Sequence, residues 1–528
     1  MRRAIARAAL VATTFALVLA FAQPAAAANP AGSRAAQPPL VGGAGSTCFW
    51  HYGPIGAPPR AFNIATLDLN TTYWAAVLRR PPGSTLKLHG EFPYARYTSL
   101  ISYDALGQVA DGLADYQIDP DRGSTNPFRP GAHRLMKKSH RNYTVSLRDH
   151  ENLDPATGQP IFNTRDPRSN EKPRNYLYVK PTTPFQETVG GQTYQLETLM
   201  VRVFVPNRGY GIRGGVPLPK PELVLADGTT VKGKALCNSL DTEAKDRLAN
   251  GLGERLPDPT ALLIQPSFYE ALRYPDRLSE PCDVTARFVP TCPTTFTVPP
   301  ALVQVPRQVP ATFPAQDPVQ WRADYDRRYL LQLYTGDDAP GANLDPGRSG
   351  AAGFFPNPHV NYMRAALNRK FGKVIAFRGR MATTPRTYAG TRVMRATQLR
   401  YQSFCMTQSV ATTKTTDCVY EEQIPQTGRR RYVVVASRKA DRPRNARRRC
   451  GVAWIRWSNR GDGAGDRDFG WLQMRNMLPS PGFRHSIQDT QKPGDEKQVL
   501  GSHLPRGTYY DNKRAFERLG CPVKPHAR

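Results

Sequence analysis

The chain has 528 residues, with 49 prolines, 42 glycines and a formal net charge of +29. That length is more than one hydrophobic core serves, so two or three domains are expected, and abundant Pro, Gly, Thr, Val and Tyr favour short strands and turns over long helices. After the N-terminal leader no run reaches the ~18 apolar residues of a spanning helix, which argues against a helical membrane protein.

Arg2, Arg3 and Arg7 precede an apolar run from about Ala8 to Ala22, and small residues ("PAAAAN") follow. Residues 1–28 therefore read as a secretory signal cut after Ala28, by either the general or the twin-arginine route, and residues 29–44 as a flexible segment. Removing those three arginines lowers the formal charge from +29 to +26. The eight cysteines suit an oxidising compartment, and the absence of any CxxC argues against structural zinc. A secreted, soluble protein, free or associated with the cell envelope, is expected.

The mature chain says several things twice. "TTYWAAVLRRPPGSTLKLHGEF" from Thr71 lines up with "NYMRAALNRKFGKVIAFRGR" from Asn361. Tyr73, Ala75 and Ala76 in one, and Tyr362, Ala365 and Ala366 in the other, read as a helical turn leading into an alternating strand that reaches Gly90 or Gly379. "ARYTSLISYD" from Ala95 answers "LRYQSFCMTQ" from Leu399, Gln117-Ile118 answers Gln423-Ile424, and "NYTVSL" at Asn142 answers "RYVVVA" at Arg431. "VFVPNRG" ending at Gly209 answers "IRWSNRG" ending at Gly461, and "LPKP" at Leu218 answers "LPSP" at Leu478. Ordered anchors of this kind point to an internal duplication.

The fold expected is mainly β: two related antiparallel β-sandwich, jelly-roll-like domains, copy 1 over residues 45–235 and copy 2 over 351–500. Residues 236–350 form the linker between them, helical in "DTEAKDRLANGL", "SFYEALRY" and "DPVQWRADYDRRYLLQLYTG" and Pro-rich between; 501–528 is a C-terminal segment. Cys405 and Cys418, aligned near Ile101 and Ala114, suggest a cross-strand disulfide. The other candidate pairs are Cys282–Cys292, Cys450–Cys521 and Cys48–Cys237.

The "RYxSL…YD" strand, the "GSTNPF" loop (Gly123 to Phe128), the "YTV" strand and the closing "LPxP" resemble exported bacterial proteins classed as domains of unknown function twelve-fifty-four and twelve-fourteen. The resemblance implies two β-sandwich domains joined by helices, and it brings no established activity. The disulfide-rich second copy departs from that pattern.

No zinc-protease helix, nucleophile elbow or P-loop occurs. "GYGIRG" (Gly209 to Gly214) is followed by prolines that forbid the helix a dinucleotide needs, so it is a hairpin turn. Asp119, Asp121 and Asn126 supply hard oxygens that suit Ca²⁺, although Asx turns explain them equally and no cofactor is otherwise expected. The strand pairs Arg96-Tyr97 and Arg400-Tyr401, joined by Tyr103, Asp104 and Asp115, are the candidate ligand-binding set: alternation puts one of each pair on a concave face, where Arg and Tyr bind sugars or anions. The same residues also read as structural cross-strand pairs. The function expected is binding of an anionic envelope polymer or polysaccharide by basic and aromatic surface, with "GRRRY" and Arg447, Arg448 and Arg449 as the densest charge and no specific nucleic acid. The alternative is a hydrolase or lyase on extracellular carbohydrate using Asp104 and Asp115.

Overall fold

The computed structural model describes residues 49–149, 174–236, 315–324, 355–463 and 466–524, with short breaks inside those spans, 57–62 and 104–108 among them. The expected signal, Asp104, most of the expected 236–350 linker and Cys48, Cys237, Cys282 and Cys292 lie outside the described residues. Strands are numbered β1–β21 in chain order and fall into four sheets.

The first half has one sheet ordered β1 (Tyr52–Ile55), β2 (Thr71–Arg80), β9 (Gln192–Pro206), β4 (Ala95–Tyr103) and β5 (Val109–Ala114), with β8 (Gln186–Val189) also on β9. Its second sheet runs β11 (Thr230–Lys232), β10 (Lys220–Val224), β3 (Thr85–Glu91), β6 (Asn142–Asp149) and β7 (Tyr176–Val179). Leu86 and Leu88 of β3 and Val145 and Leu147 of β6 meet Trp74, Ala76 and Leu78 of β2 in one core between the sheets.

The second half repeats this order. Its first sheet is β12 (Arg322–Ala323), β13 (Val360–Asn368), β20 (Phe469–Met477), β15 (Tyr401–Thr407) and β16 (Thr415–Tyr420). In the other, β21 (Arg506–Tyr510), β14 (Val374–Arg380), β18 (Arg431–Ser437) and β19 (Val452–Arg456) follow in line, and β17 (Gln426–Thr427) also pairs with β18. Met363, Leu367, Ile375, Phe377, Phe404 and Val434 fill the space between the sheets. The architecture is mainly β and sandwich-like.

Three expectations need correction. The stretches around Ala75-Ala76 and Ala365-Ala366 are strands, not helical turns: β2 pairs with β9 along its whole length, as β13 does with β20. Each is central in its sheet and covered on both faces, so the polar alternation that marks a half-buried strand is missing. The sheets are also not wholly antiparallel, since β6–β7 and β18–β19 are parallel. Finally, Arg322–Ala323, expected to be helical, and Arg506–Tyr510 of the C-terminal segment are strands: β12 and β21 join the second half's sheets, and buried Trp321 donates its indole N–H to the Pro505 carbonyl at 2.6 Å.

Cys405 and Cys418 are direct register partners and are disulfide-bonded, with Cα atoms 4.1 Å apart. The register sets Ile101 opposite Gly112 rather than Ala114, so the expected alignment of that hairpin slips by two residues. Cys450–Cys521 ties the C-terminal segment down.

Two glycines answer a specific demand. A Cβ on Gly90 would lie 2.3 Å from the Tyr143 ring, and one on Gly379 would lie 2.8 Å from the Tyr432 hydroxyl. Each tyrosine is the glycine's register partner on the neighbouring strand and lies across it.

Candidate functional site

The two halves meet through the outer faces of the β4- and β15-containing sheets. Tyr97, Phe204 and Val205 of the first half pack with Val360, Tyr401, Tyr420 and Met477 of the second. Arg96, Tyr97, Asp115 and Tyr401 are fully buried in this seam rather than lining an open concave face.

The pairs across the seam are crossed. Arg96 bonds Glu421 and Glu422 of the second half, while Arg400 reaches Asp115 of the first at 3.3 Å. Asp115 also accepts the Thr98 amide at 2.9 Å, and Glu421 accepts the Gln402 amide at 3.1 Å. The tyrosines reach across too. Tyr97 hydroxyl stands 2.7 Å from His359 Nδ1, and Tyr401 hydroxyl donates to Asp68 at 2.8 Å. Tyr103 donates to the Pro356 carbonyl at 2.9 Å. Burial pushes the Asp115 carboxyl up to about 6 despite Arg400, raises Glu421 despite Arg96, and drops His359 to about 3, which keeps that imidazole neutral.

Sequence reading missed Glu421, Glu422, Asp68, Asn357 and His359. One signal for Glu421 was present, because Asp115 and Glu421 each stand two residues before the matched Gln-Ile anchors.

The calcium candidates each have partners within the protein. Asp119 pairs with Arg129 at 2.6 Å, and Asp121 accepts from the Thr144 hydroxyl at 3.2 Å. Asn126 donates to the Asp115 and Ile118 carbonyls and accepts the Phe128 amide. Asp68, Cys405 and Cys418 do lie together, but both sulfurs are in the disulfide, which removes the thiolates a metal would take.

A different surface combines the expected residue types. Among the described residues the exposed large hydrophobics are Tyr210 (39%), Ile212 (42%), Tyr388 (40%) and Val393 (39%). Loop 207–215 is fastened to the first half by Asn207 N–H to Tyr94 O (2.8 Å) and Tyr94 N–H to Gly214 O (2.9 Å), and Tyr210 stacks on Tyr94 at 4.5 Å. Loop 386–394, from the second half, is pinned to the first by Arg134 N–H to Arg392 O (2.7 Å) and Gly131 N–H to Met394 O (2.8 Å). The loops touch where Arg208 N–H reaches Tyr388 O at 3.3 Å.

Exposed Arg208, Arg213, Arg386, Arg392 and Arg395 are interleaved with these side chains. Beneath them lie two buried arginines. Arg141 donates to the Phe92, Pro93 and Arg134 carbonyls, and Arg134 to Ala95, Thr391 and Asn207. Burial, and then the neighbouring guanidinium groups, lower Arg134 to about 9, and burial lowers Arg141 to about 10. Glu422, the carboxylate beside Tyr388, is engaged by Arg96 and by the Tyr388 and Ala389 amides. Exposed Arg448 joins this edge by donating to the Gln423 carbonyl at 2.9 Å.

No family model and no curated protein matches the chain. Among solved structures, an uncharacterized protein from Burkholderia cenocepacia is similar at 10% identity and a TM-score of 0.37, covering 85% of this chain and 78% of that one. A protein from Vibrio parahaemolyticus is similar at 8% identity and a TM-score of 0.36, covering 84% and 90%.

Proposed function

We propose that the protein is exported and binds an anionic envelope polymer or polysaccharide on the surface formed by loops 207–215 and 386–394. The observation that carries this reading is that the exposed large hydrophobics gather on one face, at the junction of both halves, among exposed arginines. Aromatic faces stack on sugar rings, and guanidinium groups pair with carboxylate or phosphate. Both loops are fastened by backbone bonds, so little ordering entropy is lost on binding. The secretory signal and two disulfides support the location.

The reading includes an internal duplication, supported by the matching strand orders β2-β9-β4-β5 and β13-β20-β15-β16 and by the parallel last pair in each half. It also includes membership of the exported two-sandwich group that the sequence resembles.

Sedimentation of the mature protein with purified, protein-free cell envelope tests the function. Binding at low salt that weakens several-fold at high salt, with no sugar released, is expected. Absence of binding at low salt overturns the proposal, and released sugar moves it to an enzyme.

A further inference from the structure

The seam contains two polar nests built on one plan. In the first, Ser403 and Arg475 are register partners on β15 and β20, and Tyr362 is the partner of Arg475 on β13. In the second, Ser99 and Arg202 are register partners on β4 and β9, and Tyr73 is the partner of Arg202 on β2. Each arginine reaches across the seam to a backbone carbonyl of the opposite half, Arg475 to Thr66 and Arg202 to Phe355. Each nest is then closed by one side chain from that opposite half, and here they differ: Asp68 closes the first and Asn357 the second.

Asp68 gives its nest a counter-charge, although Arg475 Nη1, like Arg202 Nη1, has no hydrogen-bond partner among the described residues. Its Oδ2 accepts from the Tyr401 hydroxyl at 2.8 Å and the Ser403 hydroxyl at 2.6 Å, and lies 3.8 Å from Arg475 Nη1. Its Oδ1 accepts from the Asn70 amide at 3.0 Å. The guanidinium therefore has a carboxylate beside it.

The second nest lacks that charge. Asn357 Oδ1 accepts the His359 amide at 3.0 Å, which fixes the amide's orientation and leaves Nδ2 with no acceptor. Among the described residues the Ser99 hydroxyl and Arg202 Nη1 also have no partner in ordinary hydrogen-bond geometry, with the Tyr97 and Tyr103 hydroxyls the neighbours that interact with Ser99 and Arg202. All three residues are more than nine-tenths buried, and among the described residues no carboxylate pairs with Arg202. A buried cation without a counter-charge is costly, and its site favours an anion.

We propose that this nest binds a small monovalent anion, a halide or a formate-sized carboxylate, held by Arg202 Nη1, Asn357 Nδ2 and the Ser99 hydroxyl. The anion supplies the charge that the Asp68 carboxylate supplies in the other nest. It is a structural ligand of the seam, independent of polymer binding at the exposed loops.

Two measurements on the mature protein test this. Crystals grown in bromide should show an anomalous peak against Arg202 Nη1. At constant ionic strength, replacing gluconate by chloride or by formate should raise the melting midpoint by about 2 °C or more, and the arm that responds identifies the anion. Asn357→Asp places a carboxylate in the nest and should abolish the response without lowering the midpoint in gluconate. A midpoint indifferent to both anions together with an empty anomalous map overturns the proposal, and leaves water as the occupant. A full anion response persisting in Asn357→Asp also overturns it. The anomalous map needs no variant and decides the question if Asn357→Asp does not fold.

Discussion

Asp115 is held by Arg400 and two backbone amides, yet burial outweighs them and pushes its carboxyl from 3.8 up to about 6. A carboxyl raised on folding contributes stability that is complete below its unfolded value and is lost as pH rises through its folded value. The protein should therefore lose stability between about pH 4 and pH 6, on the order of 3 kcal/mol from this group. Glu421, raised in the same direction, adds to the slope. Urea midpoints of the wild type and Asp115→Asn across that window check this: the variant should show a flatter profile, and an equal slope in both would remove Asp115 from the account. The same residues show how far sequence reading reached. Arg96, Tyr97, Arg400 and Tyr401 stood out because each Arg-Tyr pair recurs, but recurrence cannot say what covers a strand. Their crossed partners lie about three hundred residues away in the chain, so although Asp115 was among the candidates and Glu421 stands at the matching position, no local pattern paired them.

At the scale of elements, the matched glycines were legible and their reason was not. Gly90 and Gly379 ended the expected strands in both copies; the register then shows Tyr143 and Tyr432 lying across them. Gly90→Ala should cost about 1–3 kcal/mol, read as a lowered urea midpoint, because the added methyl displaces a buried ring. An unchanged midpoint would mean that the ring moves freely. The central strands β2 and β13 were misread as helical turns for a related reason. Trp74, Ala76 and Leu78 face the core while Tyr73 and Ala75 face a second apolar cluster, so period-two alternation is absent. The Cys405–Cys418 hairpin was legible because a disulfide demands adjacent strands. Its offset was not, since nothing in the sequence fixes where that hairpin turns.

For the whole molecule, the same sheet order in both halves gives two similar outer faces, and their contact buries the strands that look most like binding strands. The exposed aromatic residues Tyr210 and Tyr388, with the arginines around them, belong to connecting loops, where function concentrates on a rigid scaffold. The seam that joins the halves is therefore distinct from the loop surface proposed to bind. The most direct test is to measure affinity for a soluble acidic polysaccharide, alongside melting midpoints, for three proteins: wild type, Tyr388→Ala/Arg392→Glu, and Asp115→Asn. The loop variant should bind at least tenfold more weakly, about 1.4 kcal/mol, with an unchanged midpoint. The seam variant should bind as wild type does, with a shifted midpoint. Wild-type affinity in the loop variant, or lost affinity in a folded seam variant, would contradict the account.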